Sequence, residues 1–294
     1  MHKIVPSLWF DTEAREAVHF YVSLFKDSEI TWTTVIEETP SGDSEQFGFK
    51  LAGLDFVAIS AGPIFKLNPS ISLTVNCETR EEADTLWEKL VEGGFALMEM
   101  GQYPFAERFG WVQDRFGLSW QLTYDSNAEK SVQKILPSMM FVNKQYGRAE
   151  EAINHYLDVF KNSETLAIVH NPAGHPMEKE GTIMFSKQCF EDVQFLMNEN
   201  NFNHSFDFNE AFSFIIYCDT QDEIDYYWDK LRAVPESEVC GWLKDRFDVS
   251  WQIVPRELDE MMLTEDLVAK NRIVAAFMKM KKINIAALRQ AFKG

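Results

Sequence analysis

Residues 110–122 read GWVQDRFGLSWQL, and residues 241–253 read GWLKDRFDVSWQI. Eight of the thirteen positions are identical, and the two stretches lie 131 residues apart. The correspondence continues upstream, where VNCETREEADTLWEKL (75–90) returns as IYCDTQDEIDYYWDKL (216–231). EAVHFYVSLFKDSE (16–29) returns as EAINHYLDVFKNSE (151–164), and VPSLWF (5–10) as LPSMMF (136–141). The offset is 131 at both ends and 135 or 141 between them, so the second copy carries insertions and one compensating deletion. A period this long is a domain, not a solenoid repeat. The chain divides into a first domain (1–125), a second (134–255) and a C-terminal extension (256–294).

Each copy repeats a simpler scheme. A short apolar strand from Ile4 to Phe10 runs into an amphipathic helix with Ala17, Phe20, Tyr21, Leu24 and Phe25 at helical spacing. Asp11 or Thr12 is the expected N-cap. Three strands follow (30–37, 46–51, 56–60), separated by Pro, Gly, Ser and Asp. A strand from Ile71 to Cys77 then leads into a second helix beginning near Thr79, with Glu81 and Glu82 in its first turn. Further strands end at Leu118–Thr123. The pattern is βαβββ twice per copy, which makes the chain α+β with predominantly sheet.

Composition limits the function classes. The 294 residues carry 28 Lys and Arg against 46 Asp and Glu, a net charge of −18. That acidity opposes binding of nucleic acid or of an anionic membrane surface. No apolar run is long enough to span a bilayer, and the first residues lack a signal peptide's apolar segment. The four cysteines (Cys77, Cys189, Cys218, Cys240) show no metal-binding spacing. The expectation is a cytoplasmic protein with reduced thiols. The charge is unevenly divided: residues 255–294 carry +3 and the body −21. The tail is expected to form helices capped by Thr264 and Asn284 and to clasp the acidic domains.

The PSLWF start, the EAVHFYVSLFKDSE helix, the stretch 62–79 and the closing CGWLKDRFDVSWQIVP (240–255) resemble the PhnB-like group of the vicinal oxygen chelate superfamily. That superfamily includes glyoxalase I, bleomycin-resistance proteins and extradiol dioxygenases, and the group often carries the label 3-demethylubiquinone-9 3-methyltransferase. The resemblance covers both copies and the tail. It implies two tandem glyoxalase-like domains of paired βαβββ modules whose sheets form a cleft for a small ligand. It also implies that the tandem is an intrachain pseudo-dimer, with a homodimer of the whole chain open as well.

Metal-using members of the superfamily place His or Glu on the first, fifth and last strands. Here those positions carry Val5 or Pro6, a residue near Ser70, and Gln121 in copy one. In copy two they carry Leu136 or Pro137, a residue near Ala211, and Gln252. These are not the usual ligands of a divalent ion, so the expectation is a metal-independent, cofactor-free site that binds a small molecule. Strand alternation supports a polar cleft: Ser119, Gln121 and Thr123 share one face, as do Ser72, Thr74 and Asn76. Copy two is thinner, with Ser213, Ile215, Tyr217 and Ser250, Gln252, Val254. Trp9 and Trp32 have no Trp counterpart in the other copy and are candidates for a copy-specific wall. The ligand-binding set is Trp9, Thr74, Asn76, Ser119, Gln121 and Gln252, with the more competent pocket in the first domain and no catalytic residue assigned. The alternatives are a metal-dependent isomerase, lyase or dioxygenase, and a non-catalytic interaction protein. Neither G-x-G-x-x-G nor a P-loop occurs, so the motifs give no support for S-adenosylmethionine-dependent methyl transfer.

Overall fold

The computed structural model describes residues 1–39, 42–127 and 132–294. Copy one begins with a module of β1 (Ile4–Phe10), α1 (Ala14–Leu24), β2 (Glu29–Thr39), β3 (Gly42–Leu51) and β4 (Leu54–Ser60). Its second module is β5 (Ile71–Asn76), α2 (Arg80–Val91), β6 (Phe95–Tyr103), β7 (Ala106–Gln113) and β8 (Ser119–Tyr124). Copy two repeats this as β9 (Ile135–Phe141), α3 (Ala149–Val159), β10 (Ser163–His170), β11 (Ile183–Phe190) and β12 (Val193–Glu199). Its second module has β13 (Phe212–Cys218), α4 (Gln221–Leu231), β14 (Trp242–Lys244) and β15 (Ser250–Pro255). The tail forms α5 (Arg256–Met262), α6 (Leu267–Phe277) and α7 (Ile285–Lys293).

The helix starts follow local chemistry. Thr79 and Thr220 cap α2 and α4, accepting from the backbone N–H of Glu82 and Glu223. Neither Asp11 nor Thr12 caps α1; Glu13 stands at its start without a side-chain cap, and its carboxylate takes the Thr12 N–H instead. In the tail Asn284 caps α7 as expected, whereas α6 is capped by Asp266 and Thr264 accepts from the Asp266 N–H.

The modules form sheets across the repeat. One seven-stranded sheet runs β14-β15-β13-β1-β4-β3-β2, and an eight-stranded sheet runs β10-β11-β12-β9-β5-β8-β7-β6. Each therefore joins one module of copy one to one of copy two. The seams are antiparallel and equivalent: β1 pairs with β13 (Ile4↔Ile216 to Leu8↔Phe212), and β5 with β9 (Ile71↔Met139 to Val75↔Ile135). These two seams are the pseudo-dimer interface.

The core holds each copy together by a different route. Tyr21 on α1 packs edge-on against Trp120 of β8, which lies in the other sheet, and its hydroxyl donates to Asp114 at 2.8 Å. Copy two repeats this with Tyr156 against Trp251 and a hydroxyl donating to Asp245 at 2.6 Å. Copies are thus joined internally through buried helices, and to each other through strand ladders.

The compensating deletion lies in the last module of copy two. Where copy one has the β6–β7 hairpin, copy two has the single strand β14, reached through a 3-10 turn at Pro235–Ser237. The tail occupies this side, since Cys240 and Gly241 donate their N–H groups to the carbonyls of Met280 and Lys281 at 2.8 Å. Basic tail residues meet the acidic body through Arg256–Asp219 at 3.1 Å, Lys281–Glu238 at 3.7 Å and Lys282–Asp225 at 2.9 Å.

Candidate functional site

Alternation along β1 sends Ile4, Leu8 and Phe10 into the helix-packed core and Val5 to the opposite face of the seven-stranded sheet. On that opposite face Val5, Val57, Ile215 and Tyr217 form a separate apolar cluster, joined by Trp32, Ile59 and Val254. Over it lies a cavity of about 130 Å³, lined on the sheet side by Ser7, Thr34, Gln46, Trp242 and Gln252 as well as by the members of this cluster other than Val5. Its roof is the tail: Leu258, Asp259, Met262 and Leu263 from α5 and its end, with Phe277 from α6. The space is comparable to the roughly 150 Å³ cavity that accepts benzene.

Two features define the cavity's chemistry. Trp32 is paired with Gly48 on the neighbouring strand, and a Cβ there would collide with the indole atoms Nε1, Cε2 and Cδ1. The indole therefore lies across the glycine, which is the only residue small enough to permit it. Asp259 accepts from the Tyr217 hydroxyl at 2.6 Å. Burial pushes its carboxyl up to about 6, against the pull of Tyr217 and Arg256, with Glu260 adding to the rise.

The structure distributes the six expected ligand-binding residues among three places. Gln252 lines the cavity and donates its amide to Ser213 Oγ at 3.0 Å. Thr74, Asn76, Ser119 and Gln121 lie on the eight-stranded sheet. There the polar groups largely satisfy one another: Thr74 Oγ1 is 2.6 Å from Ser138 Oγ, and Ser119 Oγ is 3.0 Å from Ser72 Oγ while accepting from Trp111 Nε1 at 2.7 Å. Asn76 donates to the Gln133 carbonyl at 3.3 Å, and Gln121 sits in register between Thr74 and Trp111. Trp9 borders a second, more open depression of about 500 Å³ beside the 114–117 turn, with its Nε1–H donating to the Gly62 carbonyl at 2.7 Å. The tail-roofed cavity thus belongs to both copies, its sheet side built from the first module of one and the last of the other. Trp32 is legible in the sequence as a copy-specific aromatic, whereas Asp259, Met262 and Phe277 are not legible as cavity residues, because the tail's charge points to a clasp and carries no sign of what it covers. The Leu258–Met262 spacing in RELDEMM was the available signal for an inward helical face.

The recurring Asp-Arg pairs have a structural role. Asp114 accepts four hydrogen bonds, from the Tyr21 hydroxyl, Trp120 Nε1 and the N–H groups of Phe116 and Leu118. Asp245 repeats the set with Tyr156, Trp251, Phe247 and Val249. Arg115 lies over the Phe20 ring at 4.3 Å.

The cavity's donors do not suit the divalent cation of metal-using superfamily members. The groups there are the Ser7 hydroxyl on β1, the Gln252 amide on β15, whose nitrogen is engaged with Ser213, and one carboxylate, Asp259, which accepts from Tyr217. One carboxylate among neutral oxygens falls short of the imidazole and carboxylate set usual for such an ion. Among the described residues, no group of three His, Cys, Asp or Glu side chains is placed to hold a metal.

The family described as 3-demethylubiquinone-9 3-methyltransferase matches residues 2–123 and again 133–254. Among solved structures, a PhnB protein from Bacillus cereus is 41% identical, over 42% of this chain and 98% of its own, with a TM-score of 0.39. A protein from Staphylococcus aureus is 34% identical over 42% of this chain and 97% of its own, with a TM-score of 0.19. Glyoxalase I from Zea mays is 11% identical but covers 90% of this chain and 98% of its own, with a TM-score of 0.56, a likeness of fold alone. Among curated proteins there is no match to the chain. Among the described residues, no helix is long and apolar enough to cross a membrane.

Proposed function

The chain belongs to the 3-demethylubiquinone-9 3-methyltransferase domain family, as a tandem PhnB-like member with the glyoxalase–dioxygenase fold, and from this premise we propose that it is a cytoplasmic, metal-independent small-molecule-binding protein. The carrying observation is the partly open cavity of about 130 Å³, in which two indoles, a phenol, hydroxyls and amides converge beneath the chain's own tail. An apolar enclosure with a few convergent polar groups is the usual form of a ligand site. Apolar residues at the first-strand metal position and a neutral Gln252 at the last support the metal-independent reading. The absence of a glycine-rich strand-to-helix turn argues against transfer of a methyl group from S-adenosylmethionine. A homodimer of the whole chain would use surfaces other than β1 and β5, whose ladders the tandem already pairs.

A thermal-shift screen against metabolites and divalent metals, with metal analysis of the purified protein, tests this. Organic ligands are expected to raise the melting temperature by mass action, and zinc, nickel, manganese and iron to be substoichiometric. Stoichiometric metal with chelator-sensitive turnover would instead establish a metal-dependent isomerase, lyase or dioxygenase. Stabilisation by no small molecule would favour an interaction protein.

A further inference from the structure

We infer that the cavity selects a compact organic cation, an amine or quaternary ammonium of about benzene's bulk, with Asp259 as its counter-ion and the Trp32 indole as its floor. The inference rests on the reading of this cavity as a ligand site and adds the ligand's charge. Among the described residues lining the cavity, Asp259 carries the only formal charge, and neither Lys nor Arg is present. Two bases stand at its edge and are engaged there: Arg256 pairs with Asp219 at 3.1 Å and lies over the Tyr217 ring at 5.4 Å, and Lys270 donates to Thr34 Oγ1 of the lining. A carboxylate that accepts from one hydroxyl, with no ion pair to either base among the described residues, is complemented by a positive ligand.

The aromatic groups point to the same class. Trp32, Trp242 and Tyr217 all line the space, and aromatic faces attract ammonium groups, indole most strongly. Because Trp32 lies over Gly48, one indole face is against the sheet and the other is turned towards the cavity. The arrangement is specific to this sheet: at the equivalent ladder position of the eight-stranded sheet, Ala167 faces Lys187. Asp259 comes from the tail, so the tail supplies both the roof and the charge.

Isothermal titration of the full chain with tetramethylammonium, tert-butanol and trimethylacetate, in amine-free phosphate buffer, tests the inference with three solutes of similar bulk and charges of about +1, 0 and −1. Tetramethylammonium is expected to bind at least about tenfold more tightly than the other two. Asp259→Asn, which keeps an acceptor for Tyr217, is expected to remove about tenfold of that affinity and leave tert-butanol unchanged. Equal or tighter binding of tert-butanol or trimethylacetate by the wild-type chain would overturn the cation inference while leaving a ligand pocket. Binding of none of the three, while the thermal screen finds other ligands, would also overturn it alone. Failure of both experiments would remove the pocket reading as well.

Discussion

Gly48 matters because of what lies on it. Its φ is not in the left-handed region, so alanine there is strained only by the Trp32 indole. Gly48→Ala should displace that ring, costing about 1–3 kcal/mol as overpacking does. Urea denaturation would show a lower midpoint and tryptophan fluorescence a changed Trp32 environment; unchanged values for both would refute the stacking argument. Asp245 offers a test through pH. It is fully buried, and burial pushes its carboxyl up to about 6 despite four donors that favour the charged form. The folded state therefore holds a proton that the unfolded chain, titrating near 3.9, releases. The residue's contribution is full below about pH 4 and is lost as pH rises through 6. The stability advantage of wild type over Asp245→Asn should shrink by on the order of 3 kcal/mol between pH 4 and 7. A difference that stayed constant or grew with pH, in denaturant midpoints at four pH values, would contradict it. The DRF motif was thus legible as important, but its buried-acceptor role depends on Tyr21 and Tyr156, distant in sequence from the aspartates they bond.

The tail separates two forces that sequence alone cannot rank. Its charge, opposite to that of the body, suggested electrostatic docking, and the ion pairs are present. Yet Lys282 and Asp225 are about one-third and one-half exposed, and such pairs contribute about 0–1 kcal/mol. Ile273, Ile283, Ile285 and Leu288 are buried almost completely, and each large side chain removed from water stabilises by about 1.5–3 kcal/mol. The α4 start adds a geometric clamp, with Gln221 donating to the Ile283 carbonyl at 3.1 Å and accepting from the Ile285 N–H at 2.9 Å. Leu288→Ala should cost about 2–5 kcal/mol and Lys282→Ala less than about 1 kcal/mol. Equilibrium unfolding of both variants, in low salt and in salt enough to screen exposed charges, decides between the forces. A larger loss for the lysine variant would make charge the stronger of the two. The N-cap of α7, Asn284, was readable because it is local; α5 offers only the single Leu258–Met262 step, because seven residues give too few turns for a full period.

The repeat, the module order and the helix and strand types were legible in one sequence, because each is a local pattern or a comparison of the chain with itself. Which modules share a sheet was not, since periodicity gives the face of a strand and not its neighbour. That missing fact hid one neighbourhood: Ser7 and Gln252 line one cavity because β1 and β15 flank β13, although they begin and end the repeated region. The same topology predicts how the copies behave apart. Residues 1–125 contain the Tyr21–Asp114–Trp120 core but leave β1 without β13 and β5 without β9. Unpaired apolar strand edges seek partners. Because β1 corresponds to β9 and β5 to β13, two copies of the fragment can rebuild both seams by pairing β1 of each with β5 of the other. This is an isologous, closed arrangement. The fragment should therefore run as a dimer in sedimentation, and charged substitutions at Val5 and Leu73, which lie on these seams, should weaken it. Added to residues 132–294, it should form a one-to-one complex that restores the tail-roofed cavity. A folded, monodisperse monomer of residues 1–125 would show that the seams contribute little and that the helix-packed core alone defines the unit.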